Sequence, residues 1–258
     1  MTTRLLIDKA EIQAYLETDR DYAAYALGDL DVGFFEQCTW HAAQDGGIVC
    51  ALALEYTGFE PPILFLMGMG EGVADLLAGP VQTGRVFVTA RPEHLAMLER
   101  CYCWDHLDYM WRMVLKPDRF ASRKPVRSVR RLNENDIDHL RALYALGGGG
   151  DAFSPSQVTQ GVFYGIEQDG QLISVAGTHL VSQAYSVGAI GNVATHPDCR
   201  GLGYATLATQ AVCDDLIQSD IHTIVLNVRQ DNAFAVHMYE KLGFIRYCPF
   251  YEGVINRR

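Results

Sequence analysis

No run of eighteen apolar residues occurs anywhere in the 258-residue chain, so none of it is suited to cross a bilayer as a helix. The first residues, Met1-Thr2-Thr3-Arg4, meet Asp8, Lys9 and Glu11 before any apolar stretch of signal-peptide length. The expected location is therefore cytoplasmic. Basic residues are scarce: 21 Lys and Arg stand against 31 Asp and Glu, a formal net charge of -10. That balance speaks against a nucleic-acid backbone or a membrane surface as the main partner. A cysteine framework is missing too. The seven cysteines are odd in number and irregular in spacing, and Cys101-x-Cys103 is too tight for a zinc knuckle. Reduced, buried or half-buried thiols and no metal are the expectation. What the chain has in quantity is apolar material, 49% of residues against 20% charged. A sizeable core is within reach.

The length allows one large domain or two small ones. Residues 1–120 hold 9 basic and 18 acidic side chains, and residues 121–258 hold 12 and 13. An anionic ligand is therefore less repelled by the second half. Between them, Lys116 to Arg131 carries two prolines and an excess of basic residues, which reads as a solvated linker rather than a phosphate-binding arm. The expected domains are 1–120 and 126–258.

The second half is the more legible. Val129–Leu132 reads as a short strand, and Asn133 caps a helix that runs to Leu146 and stops at Gly147–Gly150. Ser154 and Pro155 suit the start of another helix. Asp169-Gly170 joins strands Val162–Gln168 and Gln171–Leu180 into a hairpin. Ser186–Thr195 is a strand, Gly201–Gln218 an amphipathic helix, and Thr223–Val228 a β-branched strand. Asn232–Leu242 is a helix closed by Gly243, and Phe244–Tyr251 returns as the last strand. The first half repeats the later part of this order. Ile48–Tyr56 and Ile63–Met67 read as strands, Gly72–Leu77 as a helix, Val86–Thr89 as a strand, Pro92–Tyr102 as a helix and Met110–Leu115 as a strand. A degenerate duplication is expected.

The sharpest motif begins at the end of a strand: Asn192-Val193-Ala194-Thr195-His196-Pro197-Asp198-Cys199-Arg200-Gly201-Leu202-Gly203-Tyr204-Ala205-Thr206. A loop leads into a helix whose start holds two glycines, so backbone N–H groups are open to an anion and the helix end adds its partial positive charge. Arg200 supplies a cation. Alone, Gly-x-Gly at a helix start is equally compatible with a packing role. Downstream lies Leu226-Asn227-Val228-Arg229-Gln230-Asp231-Asn232-Ala233-Phe234-Ala235-Val236-His237-Met238-Tyr239-Glu240-Lys241-Leu242-Gly243-Phe244. Asn232 and Tyr239 are seven residues apart, close to two helical turns, and share one face.

Together the two motifs resemble those of the GNAT superfamily of acyl-CoA-dependent N-acyltransferases, over roughly Arg127–Glu252. The resemblance implies an α/β (α+β) fold of two GNAT-like repeats, each a mixed, mostly antiparallel twisted sheet flanked by helices. It implies acetyl-CoA as acyl donor. Val193, Ala194 and Thr195 would hold the pantetheine arm; Arg200, Gly201, Leu202, Gly203, Tyr204, Ala205 and Thr206 would hold the diphosphate, and Asn232, at the cap of the second helix, would bind the cofactor as well by bonding a passing amide. Tyr239 would protonate the leaving thiolate, unless it is only a half-buried helix aromatic. Direct attack by a neutral amine also needs a base or a water chain. Ser186–Asn192 has no carboxylate where the family often places one. Glu252 is the first candidate, against an exposed terminal carboxylate, with Glu167 and His179 as fallbacks. His196, His237, Asp214-Asp215 and Cys199 read as structural.

In the first half the corresponding loop is Met67-Gly68-Met69-Gly70-Glu71-Gly72, with no arginine and with an acidic residue. It is not expected to bind coenzyme A, and tandem members of the superfamily likewise pair an active C-terminal repeat with a degenerate N-terminal one. The reading is an N-acetyltransferase acting on a primary amine of a small molecule, with a homodimer left open. The alternative is a catalytically silent CoA-binding sensor or scaffold.

Overall fold

Asp8 accepts hydrogen bonds from the amides of Ala10 and Glu11 and so starts the first helix of the computed structural model, which describes residues 1–122, 127–147, 149, 150 and 152–258. Arg123, Lys124, Pro125 and Val126 of the expected linker and domain start lie outside the described residues, as does Gly148 of the glycine stop. The chain divides into two compact units. The first comprises Met1–Arg112, Arg229–Asp231 and Tyr247–Arg258, and the second comprises Met113–Val228 and Asn232–Arg246.

In chain order the elements of the first unit are β1 (Thr2–Leu5), α1 (Lys9–Leu16), α2 (Ala24–Gly28), β2 (Cys38–Asp45), β3 (Ile48–Tyr56) and β4 (Ile63–Gly68). Then come α3 (Gly70–Ala78), β5 (Arg85–Ala90), α4 (Leu95–Cys101) and β6 (Tyr102–Trp104), and β7 (Asp108–Leu115) runs on into the second unit. The second unit continues with β8 (Arg130–Arg131), α5 (Ile137–Ala145), α6 (Pro155–Gln160), β9 (Tyr164–Gln168), β10 (Gln171–Ser182) and β11 (Val187–Thr195). It goes on to α7 (Tyr204–Gln218), β12 (Thr223–Arg229) and α8 (Ala233–Leu242), and β13 (Ile245–Arg257) carries the chain back to the first.

Each unit has its own sheet run. In the first the order is β1-β2-β3-β4-β5-β13, with β6 also on β13. There β4 and β5 are parallel, with Ile63 opposite Phe87, and the neighbouring pairs are antiparallel. In the second the order is β12-β11-β10-β9-β8. Here β11 and β12 are parallel, and the rest are antiparallel. In both units the parallel pair is bridged by a helix, α3 or α7, as a parallel crossover requires. Two mixed, mostly antiparallel runs flanked by helices are what the motifs implied.

Alternation along the strands builds the two cores. Leu64, Leu66, Val86 and Val88 meet Val73, Leu76 and Leu77 of α3 in the first unit. In the second, Leu172, Val175 and Phe163 pack against Leu140 and Leu143 of α5. Phe163 is wholly buried, and its truncation to alanine costs about 3–5 kcal/mol. The residues before α5 are fastened by a capping box: Asn133 Oδ1 accepts from the Asn135 amide at 3.0 Å, and the Asn133 amide donates to Asp136 Oδ2 at 2.9 Å. Arg130 adds an ion pair to Asp136 at 2.6 Å. The hydrogen bond from Arg130 first, and then the Asn133 amide, hold the Asp136 carboxyl below its ordinary value. The unfolded state binds that proton more readily, so this stabilisation is complete above about pH 4 and drains away as pH falls through the depressed value. Asp136→Asn is expected to lower stability at pH 7 by about 1–2 kcal/mol. Below pH 3 the gap between variant and parent in urea unfolding should narrow.

Candidate functional site

The parallel pair of the second unit opens towards its carboxyl end. β11 and β12 keep register from Val187–Thr223 to Ile190–Leu226. Their pairing ends there, although β11 runs on to Thr195 and β12 to Arg229. The cause is visible in β11. Its pairing with β10 passes from Val175–Ala194 to Gly177–Gly191, which leaves one extra residue on β11. Asn192 sits there with φ 53°, a bulge that bends the strand and re-aims the residues after it. The bulge is locked in place. Tyr144 donates to the Asn192 carbonyl at 2.9 Å, and the Asn192 side-chain amide donates to Gln157 Oε1 at 3.0 Å. Val193, Ala194 and Thr195 follow directly. The Ala194 carbonyl accepts from Ser174 Oγ at 3.1 Å, and that hydroxyl lies 2.8 Å from Thr195 Oγ1.

From Thr195 the chain turns through Pro197–Cys199, with His196 Nδ1 accepting from the Asp198 amide at 3.3 Å. His196 thus shapes the loop. Arg200 is anchored on both sides, Nε donating to the Thr195 carbonyl at 3.3 Å and Nη2 to the Gly147 carbonyl at 2.6 Å. Next come Gly201 at φ 77° and Gly203 at φ 82°, and a Cβ on either would meet nothing within 4 Å. Glycine is used here for its left-handed backbone and for the open space above it. Leu202 between them is exposed. Tyr204, buried beneath the Arg127 guanidinium at 5.0 Å, begins α7, with Ala205 and Thr206 in its first turn. No side chain caps this fifteen-residue helix and no acidic residue lies in its first turn. Its leading amides therefore have no intrahelical partner and face an uncontested positive pole.

Asn232 caps α8, its Oδ1 accepting from the Ala235 amide at 3.1 Å, and Gly243 ends the helix at φ 103°. Tyr239 lies on the inner face of α8, edge-on to Phe244 at 5.8 Å between centroids. Burial, and then the neighbouring Cys213 of α7, push its phenol above its ordinary value. It stays protonated throughout the neutral range. His237 is exposed, as expected of a surface position.

The base candidates separate. Glu252 stands on β13 opposite Thr89 of β5 in the first unit, whereas Tyr239 belongs to the second. Glu167 is ion-paired to Arg130, which holds its carboxylate below the usual range. A carboxylate so stabilised is a poor proton acceptor. Asp136, His139 and Glu167 bring ligand atoms within 4.8 Å of one another, but Arg130 is ion-paired to both carboxylates. His179 is the extra residue of a second bulge, between Thr178–Ile190 and Leu180–Ala189. Burial drives its pKa down to about 4, against a hydrogen bond with Asn192 that raises it. It is neutral at pH 7. A Cβ on Gly191 would fall 2.1 Å from its Nε2, so the ring rests on the glycine backbone beside the β11 bulge. Asn192 opens the motif read from the sequence, but the bulge at it and the roles of Tyr144 and Gln157 do not stand out there. An asparagine after a glycine inside an apolar strand is the available sign, since asparagine tolerates the left-handed region.

Residues 136–244 match the Acetyltransferase (GNAT) family. This stretch is a GNAT acetyltransferase domain. It takes in α5 to α8 and the splayed pair. The mycothiol acetyltransferase of Tsukamurella paurometabola is 33% identical over 99 residues, 37% of this chain and 34% of that protein. N-alpha-acetyltransferase 30 of Schizosaccharomyces pombe is 39% identical over 69 residues, 27% of this chain and 46% of that protein. The matched region thus spans between a third and a half of these relatives' own lengths. Among solved structures, a GCN5-related N-acetyltransferase from Sphaerobacter thermophilus superposes with TM-score 0.62 at 14% identity, over 99% of this chain and 95% of its own. A tandem GNAT protein from the clavulanic acid biosynthesis pathway gives TM-score 0.58 at 13% identity, over 99% and 98%. At such identities the likeness is one of fold, and it extends beyond the GNAT domain to the first unit.

Proposed function

We propose that the chain transfers an acetyl group from acetyl-CoA to a primary amine of a small molecule, with the donor held by the second unit. The observation that carries this reading is the uncapped start of α7 behind Gly201 and Gly203, directly after β11 has parted from β12. The diphosphate takes the free amides of Gly201 to Thr206 and the charge of Arg200. The pantetheine arm takes the backbone of Val193 to Thr195. The amine, once neutral, attacks the thioester carbonyl; the C–N bond forms as the C–S bond breaks, and no acyl-enzyme intervenes. Tyr239 presents its neutral phenol to the thiolate as charge develops on sulfur. The amine proton leaves through water. The protein acts in the cytoplasm and needs no metal in this scheme. No helix among the described residues is long and apolar enough to cross a membrane.

Calorimetric titration with acetyl-CoA, followed by free-thiol release across a panel of primary amines, tests the proposal. Binding with amine-dependent thiol release is expected. Binding without release on any amine favours a CoA sensor instead, and absence of binding removes both readings. Arg200→Ala is expected to weaken acetyl-CoA binding about tenfold, the loss of one charge-assisted contact. It should also flatten the dependence of Kd on salt, as titrations at two ionic strengths will show.

A further inference from the structure

Two contacts tie the donor site to the carboxyl end of α5. The Tyr144 hydroxyl donates to the Asn192 carbonyl at 2.9 Å, and the Gly147 carbonyl, just past the helix, accepts from Arg200 Nη2 at 2.6 Å. The residue that leads into Val193–Thr195 and the arginine of the glycine loop thus take their places from one helix end. Tyr144 is itself well held. Its ring centroid lies 5.1 Å from that of Phe153, and a Cβ on Gly150 would fall 2.5 Å from its Cγ. The glycine lets the backbone seat directly against the ring. On its other side the ring packs on the core that holds Leu140, Leu143 and Phe163. Burial raises the phenol above its ordinary pKa, so the hydroxyl remains a donor throughout the neutral range.

Asn192 needs such a partner. At φ 53° it is in the left-handed region, which is costly for a residue other than glycine, and it is 5% exposed, so its backbone has little access to water. An extended β11 carries no such cost. Without the bulge the strand would continue beside β12 past Ile190–Leu226, where their pairing now stops, and the gap between them would close. Two side chains oppose that. Gln157 Oε1 accepts from the Asn192 side-chain amide at 3.0 Å and from the Ser154 amide at 2.9 Å, so α6 grips the side chain while Tyr144 of α5 grips the backbone.

We propose that Tyr144 is a positioning residue for the acyl donor: by holding the Asn192 carbonyl, its hydroxyl keeps β11 bent away from β12 and so aims the backbone of Val193 to Thr195 at the pantetheine arm. It acts through the strand rather than on the substrate. This rests on the donor site proposed above and adds to it a residue outside both sequence motifs. With the hydroxyl gone, bent and extended forms of β11 compete, and the apparent affinity for the donor falls by the fraction of chains that stay bent. The amides at the start of α7 are set by their own helix and do not depend on the bend.

Tyr144→Phe keeps the ring and removes the hydroxyl. Calorimetry on the full chain should give a Kd for acetyl-CoA about tenfold above the parent's, and a Kd within about twofold for adenosine 3′-phosphate 5′-diphosphate, which is coenzyme A without its arm. The KM for acetyl-CoA should rise by the same factor, while kcat at saturating donor stays within about twofold, because bound donor selects the bent strand. Leu132→Val, which thins the same core, should lower Tm and leave both Kd values unchanged. An unaltered Kd for acetyl-CoA in Tyr144→Phe, or equal losses with both ligands, would overturn the proposal and make the hydroxyl a purely structural contact. A matching rise of Kd in Leu132→Val would do the same. Failure of the parent to bind the armless nucleotide would remove the division between arm and diphosphate on which the proposal depends. Failure of the parent to bind acetyl-CoA would remove the donor reading itself, and with it the site that Tyr144 serves.

Discussion

Tyr239→Phe lowers kcat for acetyl transfer by about 10²–10³-fold, within the range of a lost general acid, and leaves the Kd for acetyl-CoA within about twofold. The separation follows from where the residue lies. Its ring is packed against Phe244 in the buried face of α8, and phenylalanine keeps that ring. Only the hydroxyl goes, and with it the stabilisation of the departing thiolate, a charge present in the transition state and absent from the bound thioester. The sign of the pH dependence also follows. Burial raises the phenol's pKa above the ordinary tyrosine value of about 10, so the protonated form persists as pH increases. The wild-type rate should therefore show no fall attributable to Tyr239 below about pH 10. Steady-state kinetics from pH 6 to 10 on both proteins measure this. Equal turnover of the two would remove Tyr239 from the chemistry.

Gly203→Asp is expected to weaken acetyl-CoA binding by at least 100-fold. Two effects add. At φ 82° a side chain strains the turn by about 1–2 kcal/mol, and a carboxylate at the helix start repels the diphosphate where α7 would otherwise attract it. A second glycine separates this from a general loss of folding. Gly170, at φ 77° in the hairpin between β9 and β10, likewise has open space, with nothing within 4 Å of where a Cβ would sit. Gly170→Asn should leave Kd unchanged with at most a small drop in Tm. Calorimetry on both variants gives the comparison. Comparable losses at 203 and 170 would mean that binding reports only the integrity of the domain.

The second unit is readable from sequence because its punctuation is strong. Asp169-Gly170 marks a hairpin, Asn232 and Gly243 bracket α8, and Gly201 and Gly203 announce α7; the structure has all of these elements. The first unit is readable only from β3 onwards. β1, α1, α2 and β2 escape the sequence pattern, since α2 is a five-residue helix and β2, Cys38–Asp45, mixes small and polar residues that gain strand identity from pairing with β3. The last strand, expected to end at Tyr251, runs to Arg257 as β13, because its later residues pair with β5 and β6 from far back in the chain. The two donor-site motifs are legible as strings, but the strand opening is not. It depends on a bulge at Asn192 held by Tyr144 and Gln157, residues 48 and 35 positions away. Arg112 is equally hidden. Within Met110–Leu115 it reads as a polar interruption, and only packing shows it buried between aromatic rings.

Coenzyme A release from acetyl-CoA, followed continuously with a thiol reagent while a primary amine is added, tests the central claim most directly. Release is expected to start on addition of an amine, to match acetyl-amine formed one for one, and to fall in both Tyr239→Phe and Gly203→Asp. Release that proceeds without amine, or that is unaltered in Gly203→Asp, would contradict a donor site at the start of α7.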